Sequence, residues 1–214
     1  MNDLVAGVTD LATQRLAVKQ FVRSTGYVAP EEKRGGLEDF ASDARINLQL
    51  TMGTQQAQGA GWWQQGQDQD LLFAFPAREF LRVEDRAQPR DNWPQRWNEA
   101  RANTTTDGAT DSASGRMVAL VNHPIWVELS RFKTPYEPFD FGSGMGTEDR
   151  DRTDAIALGL INPDTVIFPQ SRRFNAELKA TPEVRSERLK GLLEETGLGR
   201  FDRDGAFVFT GGAS

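Results

Sequence analysis

The densest set of side chains able to do chemistry lies between Phe80 and Trp97, where Arg82, Arg86, Arg90 and Arg96 are interleaved with Glu84, Asp85 and Asp91 and with Trp93 and Trp97. Adjacent carboxylates such as Glu84 and Asp85 can divide acid and base roles when their surroundings push their pKa values apart. Guanidinium forks clamp carboxylates bidentately, and an indole can stack on a guanidinium or cover it from water. Two readings follow. In one, Arg82, Glu84, Asp85, Arg86, Arg90 and Asp91 form a structural charge network. In the other, Glu84 and Asp85 serve a small carboxylate-dependent hydrolase or transferase. Acids that face a cavity fit the second reading, and acids consumed by arginines fit the first.

Other chemistries have little to build on. The chain has no cysteine, which removes thiolate nucleophiles, disulfides and cysteine-based zinc sites. His123 is the one histidine, so a metal site would be mostly carboxylate. It can act as a base or as a helix-capping and packing residue, and it has no acid or nucleophile close in sequence. The glycines of Gly142 to Gly146 lack the preceding strand and the Lys-Ser/Thr ending of a phosphate loop. Glu148, Asp149, Asp151 and Asp154 lack the glycine and closing glutamate of an EF-hand and are interleaved with Arg150 and Arg152, which suggests a solvated acidic face. No catalytic residue, metal ligand or cofactor is therefore assigned. With 31 acids against 25 basic residues the net charge is −6, so any DNA contact is local and broad adhesion to anionic membrane is excluded. No apolar run has spanning length and no leader precedes the first helix, which implies a cytoplasmic protein.

The elements that must position these residues read as α+β: a helix-rich fold with a small sheet and long irregular loops. Residues 1–30 form an N-terminal helical arm, with apolar spacing from Leu4 to Val22, that packs on its own domain or docks on a partner. A central domain follows over 31–170. Its long helix runs from Leu37 to Gln65 with Leu37, Phe40, Ala44, Leu48 and Thr51 inward. After a turn of helix at 68–75, a strand carries Phe80, Leu81 and Val83 into the arginine-rich segment. Residues 100–115 bury almost nothing and read as a mobile loop that can be shortened. Arg116 to Val121 is a strand, Pro124 opens a helix ending near Phe132, and Thr134 to Gly146 is an aromatic-pinned loop. A short helix through Leu158 and a strand at Thr165 to Phe168 complete the domain. The C-terminal element, 171–214, is a helix from Thr181 stopped by Gly197 and a hairpin turning at Asp204-Gly205. Its apolar residues, Leu192 and Phe207 foremost, are candidates for docking on a partner.

The helix Ala44 to Trp63, followed by Phe80-Leu-Arg-Val-Glu-Asp-Arg-Ala-Gln-Pro-Arg-Asp91, resembles the Mu F-like head-morphogenesis domain of tailed bacteriophages. The blocks Gly115 to Trp126 and Pro135 to Met145 look like a branch of the same prophage proteins, and the match spans Leu37 to Leu160. Where many members carry a histidine after the arginine cluster and a cysteine-containing segment after the proline-rich turn, this chain has Asp91 and Phe139 to Met145. A metal site therefore does not carry over. The resemblance implies a structural minor head protein used in capsid assembly and DNA packaging. It implies contacts with portal or major capsid protein, first in the host cytoplasm and then in the virion head.

Overall fold

The computed structural model describes residues 10–172, 179–180, 186–197, 199–203 and 205–209. In chain order the helices are α1 (Leu11–Ser24), α2 (Asp43–Gln65), α3 (Gln69–Ala74), α4 (Trp93–Ala102), α5 (Ile125–Leu129), α6 (Arg152–Ala157) and α7 (Glu187–Glu195). The strands are β1 (Ala77–Arg82), β2 (Val118–Leu120), β3 (Met145–Arg150), β4 (Lys179–Ala180), β5 (Gly199–Phe201) and β6 (Phe207–Phe209). The fold is α+β, with two small antiparallel sheets of order β2-β1-β3 and β4-β6-β5. No helix among the described residues is long and apolar enough to cross a membrane.

The chain divides into two compact units, one built on Asn47–Gln170 and the other on Ala12–Ile46 with Ser171–Ser214. This differs from a three-part division at 30 and 170. Residues 31–46 go with α1, and that stretch shares a unit with the C-terminal element instead of forming a separate arm.

In the first unit, β1 is the central strand, with Ala77 opposite Leu120 of β2 and Phe80 opposite Thr147 of β3. Strand alternation sends Phe80 to one face and Ala77 to the other. Phe80 meets Trp93 at 5.2 Å between ring centroids, Trp97 at 6.2 Å and Phe139 at 5.3 Å, and Trp126 packs on Trp97 at 5.5 Å. Helix α4 supplies Trp93, Trp97 and Ala100 at one helical face, and Pro94 sits in its first turn, where a missing N–H costs nothing. Each buried aromatic of this kind contributes about 2–3 kcal/mol. On the other face Ala77 and Val118 pack with Ala155 and Ile161.

Helix α2 begins at Asp43, later than the expected Leu37, because side chains upstream take the backbone N–H groups. Asp39 accepts from Gly35 and Ala41, and Ser42 Oγ accepts from Arg45 N at 3.0 Å as a cap. Its buried residues are Ile46, Leu50, Met52 and Trp63, whereas Ala44 and Thr51 are exposed and Leu37 and Phe40 precede the helix as exposed side chains. Amide and small residues make up much of this helix, so tertiary packing rather than an apolar stripe sets the inward face.

Three further expectations are corrected. Residues 100–115 are tied into the unit: Ala109 bridges Ala119, Trp97 Nε1 donates to the Thr110 carbonyl at 2.8 Å, and Thr110 Oγ1 accepts from Val118 N and donates to the Arg116 carbonyl. The segment is held by backbone hydrogen bonds that composition does not reveal. Met145–Arg150 is a strand where none was expected, although Glu148, Asp149 and Asp151 are exposed as a solvated acidic face requires. Thr165 to Phe168 forms no strand among the described residues. Instead, Arg152 Nη2 holds the Pro163 and Thr165 carbonyls, Gln69 Nε2 holds that of Ile167 and Asn122 Nδ2 that of Phe168.

The second unit has β5 and β6 as the expected hairpin, with Gly205 at φ 80°, joined by β4 on the far side of β6. Asp204 and the expected helix start at Thr181, like Leu4 to Val8 of the N-terminal helix, lie outside the described residues. Helix α7 is capped by Ser186 Oγ and ends before Gly197, at φ 71°. Helix α1 is fastened by Lys19 to Asp43 at 2.6 Å.

Candidate functional site

Arg82, Arg90 and Arg96 reach outward to the loop at 139–143, and only Arg86 turns to an acid beside it. Asp140, only 5 % exposed, accepts from Arg96 Nη1 at 2.9 Å and pairs with Arg90 at 3.0 Å. Arg90 also donates to the Phe141 carbonyl, and Arg82 to the carbonyls of Ser143 and Arg90. The Arg96 guanidinium lies 4.0 Å from the Trp93 ring centroid, an indole stacked on a fork as the composition suggests. Of the expected network, Glu84 pairs with Arg86. Asp85 and Asp91 are exposed and join no ion pair among the described residues, which corrects their inclusion. Backbone direction explains this: past Arg82 the chain leaves the sheet, and its arginines find a buried carboxylate some fifty residues on.

A second charge cluster lies on the sheet. Arg116 Nη2 donates to Glu79 Oε2 at 2.6 Å and to Asp154 Oδ2 at 2.7 Å, while Arg150 Nε donates to the same Glu79 oxygen at 2.6 Å. Hydrogen bonding to Arg116, supported by Arg150, holds the Glu79 carboxyl below its ordinary range. Arg116 does the same to Asp154, and the two carboxylates in turn raise Arg116. Arg150 also pairs with Glu148 at 2.9 Å, so two cations hold three carboxylates and the cluster cross-links β1, β3 and α6.

His123 is buried and takes the capping role. Its Nδ1 accepts from Ile125 N at 3.0 Å at the start of α5, and Nε2 therefore donates to the Asp107 carbonyl at 3.0 Å. Burial pushes its pKa down. Both ring nitrogens are occupied structurally.

Two adjoining pockets, of about 270 and 400 Å³, share Trp62 and Glu137 as lining residues. The smaller contains Gln55, Gln58, Glu84 and Arg86, and the larger Gly59, Trp63, Arg78, Tyr136, Thr147 and Asp149. Asp85 lines neither, so the two adjacent carboxylates do not converge on a cavity as acid–base chemistry requires. Glu137 Oε1 accepts from Thr147 N at 2.6 Å and Thr147 Oγ1 at 2.9 Å. Glu137 and Asp140 went unassigned in the sequence because a proline-rich aromatic loop gives no sign of which carboxylates turn inward. Among the described residues no group of three or more His, Asp or Glu could hold a metal ion.

The two docking candidates lie in the second unit and are engaged within it. Phe207 is 4 % exposed and packs edge-on against Phe201 at 5.0 Å. Leu192 lines an apolar cavity of about 370 Å³ with Leu189, Phe21, Tyr27 and Phe40. Leu192 is half-buried, and Phe21 and Phe40 beside it are 38 and 54 % exposed, so Phe207 alone is withdrawn from docking. No protein-family model, curated protein or solved structure matches this chain.

Proposed function

We propose that the chain is a structural minor head protein of a tailed bacteriophage or prophage, acting in capsid assembly and DNA packaging through portal or major capsid protein. The resemblance of residues 37–160 to Mu F-like proteins supports the family. The observation that carries a docking role is the exposed apolar surface of the first unit: Phe73, Phe75, Val166 and Phe168 are 57, 42, 53 and 74 % exposed. Hydrogen bonds from Arg152, Gln69 and Asn122 fix the segment that presents Val166 and Phe168. Apolar side chains held in place and left in water are the usual mark of a surface that another protein covers.

The test is quantitative mass spectrometry of heads purified from cells in which the parent phage or prophage assembles. The chain should be present at low copy, and Phe168→Asp should reduce its content at least about tenfold, since a charge in an apolar interface costs several kcal/mol. Its circular dichroism spectrum should be unchanged. Absence of the chain from heads, or normal incorporation of the variant, would reject the reading.

A further inference from the structure

The β3 edge and the face of α2 that borders the two adjoining pockets define a groove whose chemistry does not rest on the function proposed above. β3 is the outer strand of its sheet, with β1 on one side and no strand on the other among the described residues. Phe80 N donates to Met117, away from β3, and Thr147 N donates to Glu137, away from β1. Phe80 and Thr147 are therefore a non-hydrogen-bonded pair, and alternation turns the backbone groups of Asp149 outward as well. The Thr147 carbonyl and the Asp149 N–H have no backbone partner among the described residues, and both residues line the larger pocket. An unpaired edge of this kind is a template for one more strand.

Charge decides what that strand carries. Four carboxylates line the groove: Glu84 is paired with Arg86, Asp140 with Arg90 and Arg96, and Asp149 with Arg78 at 3.2 Å. Glu137 alone has no cation among the described residues; its hydrogen bonds come from Thr147. Trp62, the other residue common to both pockets, is 65 % exposed and offers an indole face. In the same wall Trp63 is 2 % exposed, and its indole N–H has no acceptor among the described residues.

We propose that this groove takes an extended polypeptide segment of a partner protein by strand addition to β3, with a lysine or arginine of that segment seated between the Trp62 indole and the Glu137 carboxylate. The backbone edge supplies affinity without regard to sequence, and the indole and uncompensated carboxylate select the cation. Gln55 and Gln58 extend the polar wall on the α2 side.

The experiment presents the immobilised full chain with a random peptide library and measures the enriched peptides, made synthetically, by calorimetry. Enriched peptides should share one lysine or arginine among β-branched neighbours. Glu137→Gln, which keeps an acceptor for Thr147, and Trp62→Ala, at an exposed position, should each weaken them at least about tenfold. N-methylation of a peptide amide beside the basic residue should do the same. Failure to enrich, enriched peptides without a basic residue, or binding indifferent to either variant would overturn the proposal. So would tight binding of a single-stranded oligothymidylate that Trp62→Ala abolishes, since that would make the indole a base-stacking platform.

Discussion

Gly59 of α2 and Glu137 approach so closely that a methyl group on Gly59 would overlap the Glu137 carbonyl oxygen. The helix can lie on the aromatic-pinned loop only because this position has no side chain, and Trp63, one turn on, then packs on Tyr136 at 6.3 Å.

Gly59→Ala should therefore destabilise the protein by about 1–3 kcal/mol, overpacking outweighing the gain of about 1 kcal/mol in helix propensity. Gly61, with nothing within 4 Å of its added carbon, is the control. Gly61→Ala should stabilise by about 0.5–1 kcal/mol, and denaturant unfolding of both variants checks the contrast.

Glu79 and Asp85 should part company in the same assay. Glu79→Ala leaves Arg116 and Arg150 short of a carboxylate whose side chain is only 14 % exposed. A loss of about 2–3 kcal/mol is expected, at or below the lower end for a buried pair because the arginines reach water. Asp85→Ala, at an exposed and unpaired position, should change stability by less than about 0.5 kcal/mol. Equal losses would show that the charge network lies in the arginine-rich segment after all.

Acid should unfold the protein in two stages. Burial lowers the His123 pKa from 6.5, so as pH falls below that value the unfolded chain takes up a proton that the native histidine refuses, and stability drops. Glu79 and Asp154 have folded pKa values below their ordinary 4.5 and 3.8. Their contribution is complete above the unfolded values and is lost as pH falls through the depressed ones. In His123→Gln the stage that sets in as pH falls through 6.5 should vanish and the carboxylate stage remain, as followed by urea unfolding across pH.

The sequence announced what local rules govern. The helical turn before Pro76, Gly197 after α7 and the turn at Gly205 stand where expected, whereas α4 does not, because Pro94 reads as a breaker and sits instead in a first turn. Burial in α2 was not legible, because its glutamines and glycines give no stripe and the face was chosen by the loop at Tyr136 and Glu137. The strand character of β3 was hidden by Glu148, Asp149 and Arg150, whose charges an edge strand tolerates. The arginine-rich segment was recognised as a node, but Asp140 is distant in sequence and no spacing rule links it to Arg90 and Arg96. Glu79 and its partner Arg116 are likewise far apart in sequence.

The two compact units differ in how the chain supplies them. The first unit has Asn47–Gln170 as its main stretch, with Asp10 and Leu11 of the described residues ahead of it, whereas the other unit joins Ala12–Ile46 to Ser171–Ser214 across that stretch. During synthesis the first of these segments leaves the ribosome early, while α7 and the hairpin of β5 and β6 that complete its unit come last. The stretch Asn47–Gln170 can therefore fold during translation, as domains generally do, while Phe21, Tyr27 and Phe40 wait for Leu189 and Leu192. Closing so long a loop is slow more than it is costly, which makes the nascent N-terminal segment the part of the chain most exposed to wrong association before release.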